Sequence, residues 1–170
     1  MDLGLLILRL VIGLTLAAHG SQKLLGWFGG GGIAGTAPFL EQLGFRPGRL
    51  HAALAGIAET AGGLLLAAGF LTPLAAATLI GVMVVAAGSA HWGKGYFLHS
   101  GGFEYTLVLA AGALAIAFTG PGAISLDRSL GLGWSGGSWG LAALLLGLLG
   151  GSAELLTRKT APATTTQQAA

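Results

Sequence analysis

The sequence predicts an all-α integral membrane protein, a four-helix transmembrane bundle followed by a fifth, C-terminal helix. Three observations carry this. Of 170 residues, 54% are hydrophobic and only 8% are charged, whereas soluble domains carry about 25% charged residues. Mean hydropathy is +0.80, so the chain cannot cover a globule with charge, and its natural solvent is lipid. The apolar residues also fall into five long runs separated by breaks rich in glycine and proline.

Leu3–Leu25 is apolar except for Arg9, His19, Lys23 and a few small polar residues. It lacks a basic leader and is too long for a signal-peptide core, so it reads as a retained span. Leu50–Leu71 carries one charge, Glu59, and Leu74–Trp92 carries none, with His91 near its end. Phe103–Thr119 has Glu104 at its start. Each approaches the roughly 20 residues needed to cross a bilayer. Trp139–Leu156 is the fifth run, with Glu154 as its one charge.

The breaks are equally plain. Gly29–Gly32 and Ile33–Arg49 form a long first loop punctuated by Pro38 and Pro47. Thr72-Pro73 is a very short turn, which makes the second and third spans antiparallel neighbours. Gly93–Gly102 is a polar loop, and Gly120-Pro121-Gly122 stops the fourth span. The chain thus divides into a membrane core at 1–132, an additional hydrophobic helix at 133–157 and a disordered tail at 158–170.

Composition excludes several function classes. There is no cysteine, which rules out disulfides, iron–sulfur clusters and dithiol chemistry carried by this chain. No metal site is expected. The net charge of +2 comes from 8 basic and 6 acidic residues, too few to signal a nucleic-acid partner; the bilayer is the partner the sequence demands. Lys23, Arg46, Arg49, Lys94, Arg158 and Lys159 fall at one set of span ends and Arg128 at the other. Basic residues favour the cytoplasmic side, so the reading is a multi-pass protein of the plasma (inner) membrane, N-terminus outside and C-terminus cytoplasmic.

Ionisable residues inside spans cost about 2.5–3.5 kcal/mol at a helix centre, and here they gather toward one half of the bilayer. His19 and Lys23 are neighbours one helical turn apart, Glu59 lies near mid-depth, and His91 and Glu104 end and begin their spans on the same side. The expected polar pocket therefore comprises His19, Gln22, Lys23, Glu59, His91 and Glu104, with His19, Lys23 or Arg9 as partner for Glu59. Arg9, nearer the opposite face, reads as a structural ion-pair candidate. Plain structural alternatives stand beside these: snorkelling for Lys23, a satisfied core histidine for His19, and a favourable helix-end charge for Glu104. His51 and His99 read as solvated loop residues, and Trp27, Phe28, Trp92, Tyr96, Phe97 and Tyr105 as an interfacial belt.

The run His19-Gly20-Ser21-Gln22-Lys23-Leu24-Leu25-Gly26-Trp27-Phe28-Gly29-Gly30 resembles the HGxQKLxGxFGG signature of DoxX-like proteins. Glu59-Thr60-Ala61-Gly62-Gly63-Leu64-Leu65-Leu66, Gly101-Gly102-Phe103-Glu104-Tyr105 and Gly120-Pro121-Gly122-Ala123-Ile124-Ser125-Leu126-Asp127 resemble its later elements, in the same order. The resemblance spans residues 5 to 130 and implies a small four-helix membrane protein, so the fifth segment departs from the pattern and is expected as a peripheral addition. It also implies kinship with subunits of thiosulfate:quinone oxidoreductase and of oxidative-stress assemblies containing soluble redox enzymes. His19, Gln22, Lys23, Glu59 and Glu104 are the residues it marks.

Two readings follow. One is a membrane subunit of a quinone-linked or oxidative-stress redox system, working with soluble redox enzymes or a second membrane subunit. The other is a non-enzymatic anchor or assembly factor that recruits such enzymes, its buried charges serving as an internal lock. A small-solute or proton conduit ranks last. No catalytic residue is assigned, and whether the chain is an enzyme stays open. So do the cofactor, for which a quinone is compatible and haem is not expected, and homo-oligomerisation.

Overall fold

The computed structural model describes residues 2–159, which are helical and contain no strand. Residues 160–170 of the expected tail lie outside the described residues. In chain order the helices are α1 (Asp2–Leu25), α2 (Gly32–Gln42), α3 (Gly48–Ala68), α4 (Thr72–Ala86), α5 (Glu104–Thr119), α6 (Leu126–Ser129) and α7 (Gly137–Leu156). α4 continues through a π-helical turn, Ala87–His91, and a 3₁₀ turn, Trp92–Lys94. α1, α3, α4 with its extension, and α7 are long and apolar enough to cross a membrane. α5 is a shorter apolar helix of 16 residues.

The five long helices run alternately up and down, so two ends can be defined. Asp2, the α3–α4 turn and Gly120–Gly136 form one end. The Leu25–Gly48 connection, the loop after α4 and the C-terminus of α7 form the other, and Lys23, Arg46, Arg49, Lys94, Arg158 and Lys159 all lie at this second end. In α1, Leu3, Ile7, Val11 and Leu14 are exposed while Ile12 and Leu16 are buried, the one-sided stripe of a helix with a lipid face and a core face. The core gathers Leu66, Leu79, Ile80, Met83, Leu109 and Ile116 against that stripe.

Glycine sets the helix spacing. A Cβ at Gly63 would lie 2.6 Å from the Ala17 nitrogen, and one at Gly20 would lie 2.5 Å from the Thr60 nitrogen. α1 and α3 therefore touch backbone to backbone, as small-residue faces allow in lipid. α7 packs on α4 in the same way: a Cβ at Gly147 would meet Ile80 at 2.7 Å, and one at Gly151 would meet the Gly81 oxygen at 2.7 Å. α7 also crosses α5 at Gly140 and Phe118, so it is an integral wall of the bundle rather than a peripheral addition.

The first loop also departs from expectation, because it contains α2. Its glycine-rich start and Pro38 suggest breaks, yet Pro38 sits inside the helix. α2 is held by tertiary contact, with Ala37 buried and Glu41 Oε1 accepting from the Gly48 nitrogen at 3.0 Å. The expected tail begins with docked residues. Arg158 Nε donates to the Leu43 carbonyl at 2.8 Å, and the Lys159 nitrogen donates to the Gly44 carbonyl at 2.8 Å.

Candidate functional site

Lys23, in the last turn of α1, meets Glu59 in the middle of α3, Nζ to Oε2 at 2.5 Å. The Glu59 side chain is 6% exposed and that of Lys23 27%, so the carboxylate is buried and the ammonium reaches in from the rim. The local sequence explains the meeting. Gly20 and Gly56 bring the two helices together one turn before each charged residue, leaving the lysine stem just long enough to span to the acid. Among the partners expected for Glu59, the fold selects Lys23. His19 is next to this pair: its carbonyl lies 3.5 Å from Lys23 Nζ, and its Nε2 lies 3.4 Å from the Tyr105 hydroxyl on α5.

Lys23 and Glu59 open onto a cavity of about 620 Å³ between α3, α4 and α7, roofed by α2. Its walls are aliphatic for most of their length, from Leu74, Ala77 and Gly81 on α4 to Leu146, Gly147 and Gly150 on α7. Its ionisable groups, Lys23, Glu59, His51, Glu154, His91 and Lys94, lie between mid-depth and the second end. The π-helical turn of α4 forms part of this wall, bringing Ser89, Ala90 and His91 to it consecutively. An α-helix cannot direct three consecutive side chains to one side, and such π turns recur at functional sites.

His51 and Glu154 correct the sequence reading. His51 is no solvated loop residue; it is buried in the first turn of α3, and its Nδ1 lies 2.6 Å from Glu154 Oε1 in the last turn of α7. Opposite an ionised carboxylate, which can only accept, Nδ1 is the donor. The signal was available in the sequence. Once α3 starts at Pro47, His51, Ala55 and Glu59 recur at helical spacing on one face. His91 is oriented the same way, with Nδ1 2.7 Å from the Gly101 carbonyl oxygen.

Four expected site residues lie outside the cavity lining: His19, which turns to Tyr105, together with Gln22, Glu104 and Arg9. Gln22 Nε2 donates to the Phe28 carbonyl at 3.1 Å, and Glu104 Oε2 accepts from the Leu98 nitrogen at 2.9 Å. Both fasten loops rather than line the cavity. Arg9, only 1% exposed, forms no pair with Glu59. Its guanidinium donates to the carbonyls of Pro121 at 2.8 Å and Ile124 at 2.6 Å, at the first end. Buried Asp127 of α6 works beside it, accepting from the Leu71 and Thr72 nitrogens at 2.8 and 2.9 Å and so capping α4 from a distant part of the chain. Among the described residues no three His, Asp or Glu side chains converge on a metal-sized site.

A family model described as DoxX matches residues 4–92, which hold α1 through α4 and both members of the Lys23–Glu59 pair. The chain belongs to the DoxX family. It is 32% identical over 133 residues to the inner membrane protein YqjF of Escherichia coli (strain K12), covering 78% of this chain and 96% of that one. It is also 32% identical over 131 residues to the inner membrane protein YphA of the same organism, covering 73% of this chain and 88% of that one. No solved structure matches. With its apolar helices, this DoxX protein is a multi-pass membrane protein.

Proposed function

We propose that this DoxX protein is the membrane subunit of a quinone-linked redox system and that the cavity between α3, α4 and α7 receives the quinone. One observation carries the reading: a cavity that is apolar along most of its length and charged at one end, where Lys23 and Glu59 meet. A membrane quinone has the matching polarity. Its reduction consumes protons as well as electrons, and ionisable groups on a ligand pathway inside a membrane are characteristic of proton exchange. Lys23, Glu59 and His91, with the His51–Glu154 pair, are groups within the cavity that could hold or relay a proton. The cysteine-free chain would receive electrons from a partner redox protein.

The six basic residues gathered at the second end favour that end as cytoplasmic. The relatives' names support the inner membrane as its location. The decisive experiment uses protein purified in native lipid discs, with bound small molecules identified by absorbance and mass spectrometry beside Glu59→Gln. A quinone retained by the parent and lost by the variant is the expected result.

A second reading, a non-enzymatic anchor for soluble redox enzymes, draws on a specific observation: both cavity carboxylates already have partners, Lys23 for Glu59 and His51 for Glu154. Bulk lipid alone in both samples, with partner recruitment intact in Glu59→Gln, would favour it.

A further inference from the structure

We infer that the cavity is a groove for a hydrocarbon tail, so that its ligand is a chain-bearing amphiphile that arrives sideways from the bilayer, with α7 as one wall of the chain channel. This rests on the proposed ligand site and adds to it the part of the ligand that is recognised. The lining residues on α4 run from Leu74 to Lys94, about 30 Å at 1.5 Å per residue. Spread over that length, about 620 Å³ averages about 20 Å² for the path of a water-sized sphere's centre, a channel about 8 Å wide once the sphere's radius of about 1.4 Å is added on each side.

That magnitude separates the candidate occupants. A helix of a partner or of a second copy is about 10–12 Å across, whereas a hydrocarbon chain, whose carbons pack at about 4 Å, is far narrower. The groove therefore admits a hydrocarbon chain and is too narrow for a helix. Its side is open where Leu54, Leu74 and Leu146 are all at least half exposed; these residues lie on membrane-spanning helices, so the opening faces acyl chains. Its far end, by contrast, is roofed by α2, with Leu40 and Leu43 in the lining and the C-terminus of α7 bonded to Leu43 and Gly44. Access from lipid is open, while α2 partly covers access from water.

Gly150 on α7 lines this groove, and a Cβ added there meets nothing within 4 Å. A large side chain at this position would fill the channel without forcing helices apart. Gly151 is the contrasting neighbour, because its Cβ would strike α4.

The test measures binding to full-length protein in lipid discs of two probes, a quinone with a long isoprenoid tail and its tail-less head group, and identifies co-purifying amphiphiles by native mass spectrometry. Gly150→Trp should weaken the long-tailed probe by about tenfold or more and leave the tail-less probe unchanged. Gly150→Leu is the gentler blocker, to be used if the tryptophan variant unfolds. Equal binding of both probes, with neither Gly150 variant having any effect, overturns the chain groove and leaves the quinone reading standing. Failure of both probes, with a Gly150-sensitive chain-bearing lipid retained, overturns the quinone reading and supports the groove. No retained amphiphile and no probe binding overturns both.

Discussion

His51 and Glu154 are 103 residues apart in the chain and 2.6 Å apart in the fold. The bond ties the first turn of α3, within the segment that the DoxX family model matches, to the last turn of α7, which lies outside it. It joins two walls of the cavity at its polar end. Phe45 packs against His51 with the rings tilted at 45° and 5.3 Å apart, and it receives the Arg158 guanidinium at 5.7 Å, so the C-terminus of α7 is fastened to the core by several contacts of different kinds.

That fastening predicts coupling. A double-mutant cycle on His51→Ala and Glu154→Ala should give an interaction energy of about 0.5–3 kcal/mol, read from thermal unfolding in detergent. Strict additivity would mean the two side chains do not hold α7 in place.

The Lys23–Glu59 pair should behave asymmetrically. Lys23→Ala leaves a buried carboxylate alone and should cost about 3–5 kcal/mol, whereas Lys23→Met combined with Glu59→Gln should recover much of the loss. If the double variant is as unstable as Lys23→Ala, the cost arises from lost packing rather than from the uncompensated charge.

Arg9 should act on the opposite end of the molecule. Arg9→Leu orphans the carbonyls of Pro121 and Ile124, with an expected cost of about 2 kcal/mol or more. Protease cleavage between Gly120 and Gly136 should then accelerate, with no change in ligand retention at the cavity. A loss of ligand without faster cleavage would contradict this division of labour.

Close backbone contact predicts intolerance to small additions. Gly63→Ala places a methyl group 2.6 Å from the Ala17 nitrogen and should destabilise by about 1–3 kcal/mol, while Gly4→Ala, where nothing lies within 4 Å, should be neutral. Comparable melting temperatures for the two variants would refute the α1–α3 contact.

Topology can be read directly because the chain has no cysteine. Single cysteines at Lys94 and Ser129 should be labelled by membrane-impermeant reagents from opposite sides, with Lys94 cytoplasmic. Labelling of Lys94 from outside would invert the proposed orientation.

The sequence by itself determined the solvent, the element type and the family. Long apolar runs with so few charges can satisfy their backbone in lipid only as helices, and the polar residues of the four signature elements stood in the family's order. It also marked Lys23 and Glu59, because a lone carboxylate within a span needs a partner. The tertiary structure decided which partner, and it sent Arg9 to the loop at the far end instead. It turned Gln22 and Glu104 into loop fasteners, drew His51 and Glu154 into the cavity, and made α7 a wall of the bundle. The physical reason is range. Helix formation in lipid is dictated locally by hydrophobicity and backbone hydrogen bonding. Charge pairing and cavity shape depend on which glycine faces let which helices approach, and these contacts join residues about a hundred positions apart.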